Sequence, residues 1–160
     1  MDRRKNTNKM RLFKKLLVII IILFILYRLP LTGTPPKEMV DKAKEMDGLS
    51  KDKFELTKNV YLFINQSYTS PIRQYLREPH KVFMKNINKI WNERGGYISS
   101  NVQNEMAKQM LLLTGKFNNK DFVITQGWCE ISPHTVLFVK INKTTTIAID
   151  TWLADHQGVF

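Results

Sequence analysis

The hydrophobic period of this chain changes at Gly115, and that change restricts the fold more than any other feature. Upstream, Val102, Met106, Met110 and Leu113 recur at helical spacing, and Leu111 and Leu112 widen the stripe they form. Downstream, residues 122–128, 134–141 and 144–151 are rich in Val, Ile, Thr and aromatic side chains and read as three strands. Helices first and an antiparallel sheet afterwards predict an α+β domain, with the helix from Ser100 as a central helix packed on the sheet. Gly115 is placed to end that helix as its C′ residue. Ser99 or Ser100 is placed to cap its start.

Earlier segments read as further helices. Residues 36–46 form a polar one with Pro36 near its start. Ser50 is placed to cap a second, whose apolar positions are Phe54, Val60, Tyr61 and Ile64. Pro71 and Pro79 punctuate the chain, and Pro79 opens a helix running through Phe83, Ile87, Ile90 and Trp91. Asn92 to Gly96 reads as a loop.

The N-terminus is of another kind. Residues 1–15 form a basic tail with seven cationic side chains against the single acid Asp2. Leu16 to Tyr27 then runs for twelve residues without a charge. Crossing a bilayer takes about 20 residues. Leu12 to Leu31 supplies that length if Lys14, Lys15 and Arg28 snorkel to the interfaces. The expectation is a transmembrane anchor at 16–31, a linker at 32–36 ending in Thr34-Pro35-Pro36, and one domain at 37–160. The lipid bilayer is the partner this implies. The basic flank keeps the N-terminus cytoplasmic and places the domain outside or in a lumen. A cleaved signal peptide, with an apolar region of about 7–15 residues, is the competing reading, and small-residue cleavage is poorly supplied here. Leu29-Pro30-Leu31-Thr32-Gly33 matches a sortase sorting pattern, but such signals precede a membrane segment and this one follows it.

Charge and cysteine content narrow the classes. The net charge of +11 is concentrated in the tail, and the remaining charges are scattered without a basic, aromatic-interleaved stripe, which argues against nucleic acid. A single cysteine, Cys129, excludes an internal disulfide and a thiol-rich zinc site. His80, His134 and His156 are too scattered to argue for a metal, and no residue pattern calls for a cofactor. Asn65-Gln66-Ser67 and Asn142-Lys143-Thr144 are glycosylation acceptors if the domain enters a eukaryotic secretory lumen.

Three residues form a candidate catalytic set: Ser100, His134 and Asp150. A hairpin turn centred on Asn142 places His134 directly across from Asp150, with Cβ atoms about 5 Å apart. An imidazole held by a carboxylate is fixed in tautomer and orientation, as a general base must be. A nucleophile at a helix N-terminus gains from the helix dipole and from free N–H groups that can stabilise an oxyanion. That arrangement suits a thiolate better than a serine hydroxyl, which stays protonated until the base takes its proton. The plainer readings are a serine N-cap, a structural His–Asp pair, and Cys129 as a small side chain in a strand.

The runs GGYISSNVQNEMAKQMLLLTG at 95–115, PHTVLFVKI at 133–141 and IAIDTW at 147–152 resemble the transglutaminase-like branch of the papain-type fold, over about residues 54–152. The resemblance implies a nucleophile at Ser100, with Ser99 as the alternative, a base at His134 and an orienting carboxylate at Asp150. Trp91 and Trp152 fit its packing pattern. The family's cysteine is replaced by serine. The resemblance therefore implies a catalytically impaired relative, acting as a binding or scaffold module with a protein or peptide ligand at the Ser100/His134 cleft. A serine-based amidase or peptidase using the same three residues is the rival. A small membrane adaptor without an ancestral site is the third reading.

Overall fold

A computed structural model describes residues 3–69, 77–129 and 132–150. Trp152, His156, Pro71 and the end of the expected third strand lie outside the described residues. The architecture is α+β. Helices α1 (Arg3–Arg28), α2 (Lys37–Leu49), α3 (Lys53–Ser67), α4 (Ile87–Asn92) and α5 (Ser100–Leu113) precede strands β1 (Phe122–Cys129), β2 (Ser132–Lys140) and β3 (Thr146–Ile149). Short 3₁₀ turns lie at Pro79–Phe83 and Asn119–Asp121. Pro79 therefore opens a tight turn, and Asn86 starts α4 separately by accepting from Lys89 N–H.

Helix α5 is the central element, packed against α2, α3 and β2. Its stripe of Val102, Met106 and Met110 is fully buried, as are Ala107 and Leu111. Leu113 is only partly covered and packs at the edge of the core. The helix ends as its sequence suggests. Gly115 adopts a φ of +75°, which a Cβ would disfavour, and its N–H closes on Leu112 O.

Two local expectations are corrected. The cap of α3 is Asp52, whose side chain accepts from Glu55 N–H at 2.8 Å. Ser50 instead closes α2, its hydroxyl donating to Met46 O at 2.7 Å and accepting from Asn59 Nδ2. Phe54 is 53% exposed, whereas Leu56, Val60, Tyr61 and Ile64 carry the buried face of α3.

The sheet is antiparallel in the order β1-β2-β3. Side-chain alternation directs Phe122, Leu137, Val139 and Ile149 into the core. Val123, on the other face, is 57% exposed. The hairpin register also differs from expectation. β2 and β3 pair Leu137 with Ile149 and Val139 with Ile147, so that register carried forward puts Val136 opposite Asp150. Asn142 begins the turn and does not form its centre, because its Oδ1 accepts from the N–H groups of Thr144 and Thr145.

Helix α1 stands apart from this core. Leu16 to Leu26 present eleven consecutive apolar side chains that are 40–55% exposed. No helix among the described residues is long and apolar enough to cross a membrane. The expected span meets a physical limit: α1 ends at Arg28, and Lys14 and Lys15 close its uncharged run from the other side. Among the described residues, the foot of α1 is docked on the domain. Tyr27 is buried, and its carbonyl accepts from Asn101 Nδ2 at 2.7 Å and Lys85 Nζ at 2.8 Å. Thr32 then bridges Asn86, with Thr32 N–H donating to Lys85 O and Ile87 N–H donating to Thr32 O.

Candidate functional site

The start of α5 is positioned by the loop before it. Gly95, at a φ of +87°, lets the chain reverse, and Thr69 bridges Tyr97 through bonds to Gly96 and Ile98. This delivers Ser99 as the N-cap and Ser100 as the first helical residue, both buried. Ser99 makes no side-chain cap bond, so the first-turn N–H groups keep no side-chain acceptor from it. Its Oγ has no hydrogen-bond partner among the described residues.

Ser100 meets β2 at Thr135. Thr135 Oγ1 donates to Ser100 Oγ at 3.3 Å, and Asn104 Nδ2 donates to both Thr135 O at 2.8 Å and Thr135 Oγ1 at 3.1 Å. Thr135 is almost wholly buried on the sheet face that packs on α5. Alternation assigns its neighbour His134 to the other face, opposite Gly127 of β1.

His134 and Asp150 do come together. Nε2 lies 2.8 Å from Asp150 Oδ2, with side chains 13% and 18% exposed. They are not directly across from each other, but diagonal, and their side chains bridge the extra distance. Tyr61 of α3 fixes the carboxylate-bearing residue from behind, its hydroxyl donating to Asp150 O at 3.1 Å. An imidazole engaged by a carboxylate through Nε2 works as a base through Nδ1. The structure thus brings together His134 and Asp150 and gives Ser100 Thr135 as its hydrogen-bond partner.

A cavity of about 140 Å³ opens beside Ser100, lined by Arg28, Asn101, Glu105, Ile124, Gln126 and Thr135. Burial pushes the Glu105 carboxyl above its ordinary range, with Lys108 and Lys85 pulling it back. Burial lowers Lys85, against the pull of Glu105. Farther along α5, both polar atoms of the fully buried Gln103 and Oδ1 of Asn104 have no hydrogen-bond partner among the described residues.

Sequence reasoning missed Asn101, Gln103, Asn104, Glu105, Gln126, Thr135 and Arg28. A signal was present. Ser99/Gln103, Ser100/Asn104 and Asn101/Glu105 are three polar pairs at i, i+4 on a helix expected to be largely buried, which leaves no solvent side to receive them. Cys129 ends β1 opposite Ser132. Among the described residues no group of three His, Cys, Asp or Glu side chains is arranged to hold a metal ion. No protein-family model, curated protein or solved structure matches the chain.

Proposed function

We propose that this chain is a membrane-anchored, transglutaminase-like domain whose nucleophile position holds serine and which serves as a binding module, not a hydrolase. The observation that carries this reading is the bond between Thr135 and Ser100. A threonine hydroxyl cannot serve as general base, so Ser100 has no activating partner in that contact. The imidazole–carboxylate pair forms next door, on the residue of β2 that alternation directs away from α5. The buried, incompletely bonded polar side chains around Ser100 support a ligand site, because such groups are costly to retain for stability alone.

The deciding experiment treats the full chain with a serine-directed fluorophosphonate. No labelling of Ser100 is expected. In Ser100→Cys, the thiol should titrate no lower than the helix N-terminus alone makes it, and His134→Ala should leave that titration unchanged. Labelling of wild-type Ser100 that disappears in His134→Ala overturns the binding reading and establishes the serine amidase or peptidase.

The bilayer assignment is supported by α1. Its eleven exposed apolar residues have no polar side on which a surface-lying helix would float. Inserting them is worth about 3–6 kcal/mol in sum. The uncharged run reaches only about 18 Å, so Lys15 and Arg28 must snorkel and the bilayer must thin around it. If α1 spans, the basic tail stays cytoplasmic and the domain lies on the opposite side. Ile20→Lys should shift the full chain from lipid vesicles to the aqueous fraction in flotation, at a cost of about 3 kcal/mol. Unchanged flotation removes the anchor from the proposal.

A further inference from the structure

The cavity at the head of α5 has an acidic interior and a cationic mouth. Glu105 lies on α5 with its side chain 12% exposed; Oε2 has no hydrogen-bond partner among the described residues, Lys108 Nζ approaches it at 4.0 Å, and Lys85 acts on the same carboxyl as a second cation. Arg28 is exposed, its guanidinium 5.6 Å from the Phe24 ring centroid. The neutral side chains of Asn101, Gln126 and Thr135 line the same cavity. Asn101 is held in place by its bond to Tyr27 O, which ties the cavity wall to the foot of α1.

We propose that this cavity takes a primary ammonium group carried beside a phosphate, the ammonium on Glu105, the phosphate at Arg28, and neutral hydrogen bonds from Asn101, Gln126 and Thr135. A carboxylate without a close partner in a confined site favours a compact cation that can donate hydrogen bonds to it. A guanidinium recognises phosphate through parallel N–H donors. The volume of about 140 Å³ is several times one water's share of the liquid, about 30 Å³. That admits an ammonioethyl group; a trimethylammonium group carries no N–H to donate to Glu105 and so loses the hydrogen-bonded contact. Arg28 closes the apolar run of α1, so the mouth lies where a bilayer interface would be. A phosphoethanolamine lipid headgroup could enter amine first while its acyl chains stay alongside α1. A free phosphorylated amine offers the same chemistry from solution. This ligand deepens the binding reading above, and it depends on the bilayer reading only for its lipid source.

The test uses the full chain in detergent, titrated by calorimetry with O-phosphoethanolamine, phosphocholine and inorganic phosphate. O-phosphoethanolamine should bind at least about tenfold more tightly than the other two. Glu105→Gln should abolish that preference, and Arg28→Gln should weaken binding of both zwitterions. Cooperative melting at or above the wild-type midpoint in either variant shows that its fold is intact. A second arm compares thermal unfolding of the domain in nanodiscs of phosphatidylcholine with and without phosphatidylethanolamine. A higher midpoint with phosphatidylethanolamine assigns the ligand to the lipid. Tight binding of the free compound with no difference between the discs supports the same chemistry and assigns a soluble ligand. Equal affinity for phosphocholine, affinity within about twofold in Glu105→Gln, or no saturable binding together with no nanodisc difference overturns the proposal. None of these results depends on Ser100 labelling, so the two proposals fail separately.

Discussion

The two halves of α5 are both buried, and they are buried in opposite ways. From Met106 onward its core contacts are apolar: Met106, Ala107, Met110 and Leu111. From Ser99 to Asn104 five polar residues are buried, and Ser99, Gln103 and Asn104 each keep at least one atom without a hydrogen bond. The C-terminal half repays its ordering through removal of apolar surface from water. The N-terminal half does not, because desolvating an unmatched amide or hydroxyl costs about 1–3 kcal/mol. A helix that is economical along one half and wasteful along the other carries two tasks. The first holds the domain together, and the second keeps polar groups ready for something that completes their bonding.

The largest effect should separate the halves by stability alone. Met106→Ala removes a fully buried side chain between α5 and its neighbours and should lower the unfolding free energy by about 2–5 kcal/mol in a chemical denaturation curve. Gln103→Leu lies one turn earlier and is buried as completely. It exchanges two unbonded polar atoms for methyl groups of similar bulk, so it should be neutral or stabilising by up to about 2 kcal/mol. A loss of more than about 1 kcal/mol in Gln103→Leu breaks the comparison, because the amide would then be contributing structurally.

How much of this was legible differs by element, and the reasons are physical. The change of period at Gly115 exposed the sheet because alternation is a local property of each strand. The choice between Ser50 and Asp52 was not local. Both are good caps, and burial of Ser50 beneath Asn59 left Asp52 to start α3. The hairpin turns one residue later than a turn centred on Asn142, because Asn142 Oδ1 accepts from the N–H groups of Thr144 and Thr145. Shifting a turn centre by one residue shifts the pairing by two, and two steps preserve the face. His134 and Asp150 therefore still meet, although the expected direct pairing does not form. Ser100 is the first residue of α5, with Ser99 as the N-cap, and its hydrogen-bond partner lies one position further along β2 than the imidazole. Along a strand one position is the difference between the two sides of a sheet, and sequence order cannot resolve it without the exact strand geometry.

Thr135→Val sharpens the comparison from the sheet side. It keeps the side-chain shape and removes the hydroxyl that donates to Ser100 and accepts from Asn104, while the Thr135 carbonyl still accepts from Asn104. A loss of about 1 kcal/mol is expected, read by thermal or chemical unfolding. A neutral result would mean that Ser100 and Asn104 find replacement partners readily, and that the polar half is less constrained than its burial suggests.

The smallest effect is one of pH, at Glu105. Its folded carboxyl titrates above the ordinary value of 4.5 because burial disfavours the charged form, and Lys108 and Lys85 only partly offset this. The folded state therefore binds the proton more readily than the unfolded chain does. Stability from this group is greatest at acid pH and falls as pH rises from the unfolded value through the raised folded one. Glu105→Gln removes the decline, so its stability relative to wild type should grow with pH across that window and level off above it. Lys85 works against part of the gain. Burial already lowers its titration, and removing the neighbouring carboxylate takes away the charge that holds it up. The relative gain should therefore be larger in a Lys85→Gln background, a coupling that a double-mutant cycle isolates. Parallel stability curves for wild type and Glu105→Gln between about pH 4 and pH 8 would mean that water reaches the carboxylate freely. The polar half of α5 would then be an open cleft, and the contrast between its two halves would be one of solvent access, with no unmet bonding left to explain.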